Sequence, residues 1–129
     1  MKQFFTIIAM MAFVLSTKAQ AQTNSCEQFK NGKFETTIEG KTEIVERNGS
    51  KQIEFYKGSN NSMEFNVSWT GDCEYTLTPT KDFLEKHPQF PKNAEVKVKI
   101  IKTTKNSYTQ MSTTNFTGKS HTSEMYKIN

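Results

Sequence analysis

Residues 63–77 read Met-Glu-Phe-Asn-Val-Ser-Trp-Thr-Gly-Asp-Cys-Glu-Tyr-Thr-Leu. Met63, Phe65, Val67 and Trp69 alternate with Glu64, Asn66 and Ser68, and Cys73, Tyr75 and Leu77 alternate with Glu74 and Thr76. Period two is the strand period, because successive side chains point to opposite faces of a sheet. Thr70-Gly71-Asp72 supplies turn chemistry between the two runs. The stretch is therefore a hairpin with one wet face and one apolar face. Its expected register places Trp69 opposite Cys73, Val67 opposite Tyr75 and Phe65 opposite Leu77.

The same logic extends towards the N-terminus. A three-residue loop at Glu39-Gly40-Lys41 would set Ile38 opposite Thr42 and Thr36 opposite Ile44. Asn48-Gly49 is the best short hairpin signal in the chain. It would set Ile44 opposite Ile53 and Glu46 opposite Lys51. A loop over 57–61 would set Phe55 opposite Met63 and Ile53 opposite Phe65. One apolar face then runs through five strands, and a one-residue slip would break it.

Towards the C-terminus the meander pauses. Asp82 to His87 is expected as one short helix, with Phe83 and Leu84 facing in and Pro88 stopping it. Ala94 to Thr104 is a strand, and Lys105-Asn106 turns it back so that Ile100 faces Met111. A weaker strand covers about Thr122 to Ile128. The expectation is an all-β antiparallel meander of seven or eight strands with one short helix. It closes into a lipocalin-like small barrel or half-open barrel, in preference to a two-sheet sandwich.

The chain has 129 residues. Lys2 followed by the apolar run Phe4 to Leu15, then Ala19-Gln20-Ala21, reads as a secretion signal over residues 1–21 with cleavage near Ala21. The run is too short to span a bilayer of about 30 Å, which argues against a membrane anchor. The residues before Cys26 lack a lipoprotein signal's small and apolar character, which argues against a lipid anchor. Residues 22–129 then form a single β-domain, periplasmic or extracellular, with no transmembrane segment.

Removing Lys2 and Lys18 lowers the formal charge from +4 to about +2. Apolar content falls from 34% to about 28%, lean for a globular domain. A multidomain enzyme and a large buried catalytic core are excluded by size. So small a net charge neutralises few phosphates, and nucleic acid is not an expected partner.

The cysteines are two, Cys26 and Cys73. An even count in a secreted chain favours a disulfide, and with two the pairing is unambiguous. The bond would close a loop of nearly 50 residues and contribute about 4 kcal/mol in the chain-entropy model.

Catalytic constellations are scarce. His87 and His121 sit in turn contexts with no orienting carboxylate visible. No Gly-x-Ser-x-Gly elbow and no metal-ligand spacing occurs. Glu54 facing Glu64 is the carboxylate pair that the expected register makes. Lys97, Lys99, Lys102 and Lys105 form the one basic cluster, read as the guarded outer face of an edge strand. Arg47, the only arginine, stands beside the Asn48-Gly49 turn with a carboxylate as its expected partner. Phe55, Phe65, Trp69 and Tyr75 fall on the expected inner face. There they either form the core or line a ligand cavity.

The spacing Cys26-x-x-Phe29-x-x-Gly32-x-Phe34, then Arg47, Gln52-x-Glu54, and Val67-x-Trp69-x-x-x-Cys73-x-Tyr75-x-Leu77 resembles a group of small secreted proteins of Bacteroidota. That group has no established function, although some members carry the name DNA topoisomerase IV. The resemblance implies a compartment and a β-fold. A domain of about 108 residues has no room for ATP-binding and DNA-gate domains.

The expected function is therefore a non-enzymatic domain without metal or cofactor that binds an unidentified protein or glycan. The alternative is a carrier of a small apolar ligand. A hollow interior favours the carrier and a filled one favours protein interaction.

Overall fold

The computed structural model describes residues 25–129. The secretion signal expected over residues 1–21, with cleavage near Ala21, lies outside the described residues. A single 3-10 turn, Glu27–Phe29, precedes eight strands: β1 Gly32–Ile38, β2 Lys41–Asn48, β3 Lys51–Tyr56, β4 Ser62–Gly71, β5 Glu74–Pro79, β6 Val96–Thr103, β7 Ser107–Thr114 and β8 Ser120–Lys127. Each strand pairs antiparallel with the next, and β8 returns to β1, so the sheet closes into a barrel. The one α-helix, α1 Lys81–Lys86, lies in the β5–β6 connection. The Thr80 side chain caps it, accepting from Phe83 N at 3.1 Å.

All four hairpins from β1 to β5 correct the expected register. Ile44 faces Phe55 rather than Ile53, and Val67 faces Leu77 rather than Tyr75, shifts of two residues that keep the face, while the other two hairpins shift by one. The β1–β2 loop is Glu39-Gly40, with Ile38 opposite Lys41. Both loop residues have positive φ, 50° and 77°. A two-residue turn of this kind matches the right-handed twist of its strands. The β2–β3 loop is Gly49-Ser50, with Asn48 opposite Lys51 and Arg47 opposite Gln52. On the far side of β3, Phe55 pairs with Ser62 and Glu54 with Met63. The slips at the first and third hairpins cancel, so β4 keeps its expected face and only β2 and β3 are inverted.

Glu43, Val45 and Arg47 therefore point inward from β2, and Gln52, Glu54 and Tyr56 from β3. Ile44, Ile53 and Phe55 point outward, against expectation. Glu54 does not face Glu64, which pairs with Ile53 on the outside. In the second half, Ile100 pairs with Gln110 and Lys99 with Met111, with a bulge between Ile100 and Lys102. Met111 is consequently exposed. β6 is paired on both sides, so its lysines do not guard an edge. Lys99 Nζ lies 3.8 Å from a Glu74 carboxylate oxygen.

The core gathers at one end of the barrel. Cys26, Phe29, Phe34, Val67, Val98, Tyr108 and Met125 are buried there. The disulfide joins Cys26 to Cys73 with Cα atoms 5.3 Å apart. It ties the 3-10 turn across the barrel's base, and Phe29 is driven in to 0% exposure. Phe29 packs on Tyr108 with ring centroids 5.0 Å apart. Lys33 N donates to Asn129 O at 2.9 Å beside the turn, drawing the chain's end against β1. A Cβ on Gly32 would lie 2.9 Å from that same carbonyl oxygen, so the close approach requires glycine.

Candidate functional site

Arg47 is 2% exposed, and its charge is held by a satisfied polar network. Its Nε donates to Gln52 Oε1 at 2.8 Å, and Nη1 donates to Phe29 O at 2.6 Å. Its Nη2 donates to the hydroxyls of Tyr75 at 2.8 Å and Tyr108 at 3.1 Å. Its Cζ also lies 4.6 Å from the Tyr75 ring centroid and 5.0 Å from that of Phe34. Burial works against the charged guanidinium, but Tyr75, Tyr108 and Glu54 outweigh it, and its pKa stands above the ordinary value. Among the described residues no carboxylate makes an ion pair with Arg47.

The network continues outward from Arg47. Gln52 Nε2 donates to Glu54 Oε1 at 2.7 Å. Glu54 and Glu43 share a hydrogen bond. Burial, with the neighbouring Glu54 charge and that hydrogen bond, pushes the Glu43 carboxyl up to about 7. Burial also raises Glu54, while Gln52, Arg47 and Glu43 favour its charged form. Both carboxyls thus hold their protons more tightly than a free glutamate, Glu43 up to about 7. On the far wall Tyr75 Oη donates to Gln110 Oε1 at 3.1 Å. Burial lifts the Tyr75 hydroxyl well above the usual phenol range, so it stays a neutral donor.

Above this floor the barrel is hollow. A cavity of about 850 Å³ lies between the strands. Its walls include Val45, Phe65, Leu77, Val96, Val98 and Met125, and its floor Arg47, Gln52, Glu54, Tyr75 and Gln110. Ile38, Tyr56, Met63 and Phe116 ring the open end and are 37–49% exposed. Phe90 reaches this rim from the α1 segment, its ring centroid 6.3 Å from that of Phe116.

The wall has one weak seam. β8 pairs with β1 only at Phe34–Lys127 and Glu35–Tyr126. From Thr36 to Ile38, β1 has no partner on β8. Thr37, Thr122 and Glu124 join the cavity lining along this gap. The cavity thus has an open mouth and a slit down one side.

Of the four aromatics expected on the inner face, Phe65 and Tyr75 line the cavity. Trp69 lies deeper, half-buried at the closed end, its ring centroid 4.7 Å from that of Tyr75. Phe55 points outward, because the inverted β3 puts its even-numbered residues inside. His121 lines the cavity, and His87 stacks on Phe83 with centroids 4.4 Å apart.

Sequence reasoning missed Glu43 altogether and gave Gln52 and Glu54 no inward role. The available signal was the second phase of β2 and β3: Glu43-x-Val45-x-Arg47 and Gln52-x-Glu54-x-Tyr56. Buried ions and amides on that phase become legible only as mutual partners.

Among the described residues there is no cluster of His, Cys, Asp and Glu able to hold a metal, and no helix long and apolar enough to cross a membrane. No protein family, curated protein or solved structure matches the chain.

Proposed function

We propose that this protein is a secreted, non-catalytic carrier of a small ligand with an apolar body. The observation that carries the reading is the hollow barrel. Its cavity of about 850 Å³ falls within the range of small-molecule sites. A lean, polar chain does not collapse this space. The closed end is packed and disulfide-tied while the other end stays open.

Binding is favoured over catalysis by the arrangement of the polar groups. Glu43 and Glu54 hydrogen-bond to each other on one wall. The two carboxyls of a glycoside hydrolase instead flank the scissile bond, about 5–9.5 Å apart. The His121 side chain makes no hydrogen bond among the described residues, so no group orients it as a base. The disulfide supports an oxidising compartment.

The test is a titration of the mature protein with the neutral apolar dye N-phenyl-1-naphthylamine. Ser112 lines the cavity, and Ser112→Trp fills part of it. Wild-type protein is expected to bind the dye with strong enhancement of its emission, and Ser112→Trp to weaken binding at least about tenfold. Equal binding by both proteins would contradict the carrier reading.

A second reading, docking of a protein or glycan on the outer wall, rests on the outward placement of Ile53 and Phe55. Ile53 is 36% exposed on that face.

A further inference from the structure

The carrier reading leaves the ligand's polar end open, and the inner face of β1, β2 and β3 constrains it. Glu43 stands directly opposite Thr36 across the β1–β2 pair. Both line the cavity, as does Glu54. Thr36 is only 4% exposed, yet among the described residues its hydroxyl makes no hydrogen bond. No fully buried side-chain polar atom among the described residues lacks a partner, so the Thr36 hydroxyl oxygen is open to the cavity it lines, where a ligand's donor can reach it. Here a hydroxyl oxygen and two carboxyl groups stand on adjacent strands at one side of a chamber with both apolar and polar walls.

We propose that this corner binds the ammonium head of a primary amine whose apolar body fills the cavity. The inference rests on the carrier reading and adds the head-group chemistry to it. An ammonium has three N–H donors and no acceptor. The corner offers the complement, with oxygen acceptors from Thr36, Glu43 and Glu54. An anionic head has no comparable place. Four N–H donors of Arg47 are already used by Gln52, Phe29, Tyr75 and Tyr108, so the floor's cation is not free to receive a carboxylate. An anion would instead meet the carboxyl pair.

The groups facing the corner fix the charge balance. Arg47 contributes one positive charge from β2, and Tyr75 is a neutral donor on the opposite wall. His121, Glu124 and Glu39 also line the cavity, the first two from β8 and Glu39 from the β1–β2 turn. Below about pH 7 the Glu43 carboxyl carries a proton. A bound ammonium takes the proton's place: R–NH3+ enters, one H+ leaves the carboxyl pair for the solvent, and the buried charge is unchanged. Binding of the amine therefore releases about one proton below the Glu43 titration and fewer above it.

The test uses the full mature chain with its disulfide intact, and four probes: the neutral dye, decylammonium, 1-decanol and decanoate. Dye displacement gives affinities. Calorimetry in two buffers of different ionisation enthalpy counts released protons. The expected result is decylammonium at least about tenfold tighter than the other two chains, with close to one proton released near pH 6 and a smaller number near pH 8. Thr36→Val and Glu43→Gln are expected to reduce the amine preference. The outward-facing Glu64→Gln is expected to leave it unchanged.

Decanoate or decanol binding as tightly as the amine, with the dye still bound, would overturn the head-group assignment and leave the carrier reading standing. Failure of the dye and all three chains to bind would overturn both. Undiminished amine preference in a folded Thr36→Val and in a folded Glu43→Gln protein would place the head elsewhere and also overturn the assignment.

Discussion

Arg47 and Gln52 face each other across the β2–β3 hairpin, and the guanidinium Nε donates to the Gln52 side-chain oxygen at 2.8 Å. This one bond fixes the phase of two strands. With Arg47 inside, Glu43 and Glu54 must also be inside, and Ile44, Ile53 and Phe55 must be outside. It also separates the barrel's two halves, with a packed base below and a hollow above.

Replacing Arg47 strands its partners. Arg47→Ala leaves the Phe29 carbonyl, the Gln52 amide and two tyrosine hydroxyls to find other partners in a closed space. The expected cost is about 3–5 kcal/mol in urea unfolding. Arg47→Lys is not a conservative change here, because an ammonium cannot span four separate acceptors in one plane. It is expected to lose about 2 kcal/mol or more. A loss under about 1 kcal/mol for Arg47→Ala would show that the network does not hold the base together.

The disulfide closes a sequence separation of 47 residues. The Cys26→Ser, Cys73→Ser double variant is expected to lose about 4 kcal/mol in denaturant unfolding. Its 3-10 turn is expected to loosen first. Protease cleavage near Phe29 should then accelerate more than cleavage in the β6–β7 hairpin. Equal acceleration at the two places would argue against a plug held by the bond.

Stability is expected to depend on pH through Glu43. Folding raises its pKa from 4.5 to about 7, so the native protein binds this proton more tightly than the unfolded chain. This contribution is fully present below about pH 4.5 and is lost as pH rises through about 7. Glu54 is raised too and acts in the same direction. Melting temperature should fall between pH 5 and pH 8, and Glu43→Gln should flatten that slope. A wild-type slope of opposite sign would contradict the raised Glu43 pKa.

The two faces of the barrel wall give a paired mutational test. Phe65 is 4% exposed inside, whereas Phe55 points out. Phe65→Ala is expected to cost about 3–5 kcal/mol. Phe55→Ala is expected to cost clearly less, because Phe55 is only partly buried. Trp69→Ala is expected to cost about 3 kcal/mol, since the ring is half-buried between Arg47, Tyr75 and Lys30. Reversal of the Phe65 and Phe55 order would restore the register that the apolar pattern suggested.

That pattern was legible where the inner face is apolar and misleading where it is not. Residues 63–77 alternate cleanly, and β4 and β5 lie on the expected face, although Trp69 pairs with Tyr75 rather than Cys73. In β2 and β3 the apolar residues Ile44, Ile53 and Phe55 face outward while Glu43, Arg47, Gln52 and Glu54 are enclosed. The inward choice is stable because each enclosed polar group finds a partner, and partners lie up to 61 residues apart in the chain. Hydropathy cannot register a condition of that kind. The first hairpin carried its own difficulty. Glu39 adopts a positive φ of 50°, a conformation uncommon for that residue type, so the tight turn at Glu39-Gly40 was not signalled. The disulfide was legible from cysteine count alone. The cavity was not, because its volume depends on how eight strands close, and that is no property of any one segment.

The central claim is that an apolar ligand occupies the barrel interior, and methyl-resolved NMR with N-phenyl-1-naphthylamine tests it most directly. Leu77, Val96, Val98 and Met125 line the cavity. Ile53 and Ile101 are exposed and do not line it. Saturating dye is expected to shift the four interior methyl-bearing residues and leave the two exposed isoleucines in place. Shifts confined to Ile53 and Ile101 would contradict the account and move the binding surface to the outside of the barrel.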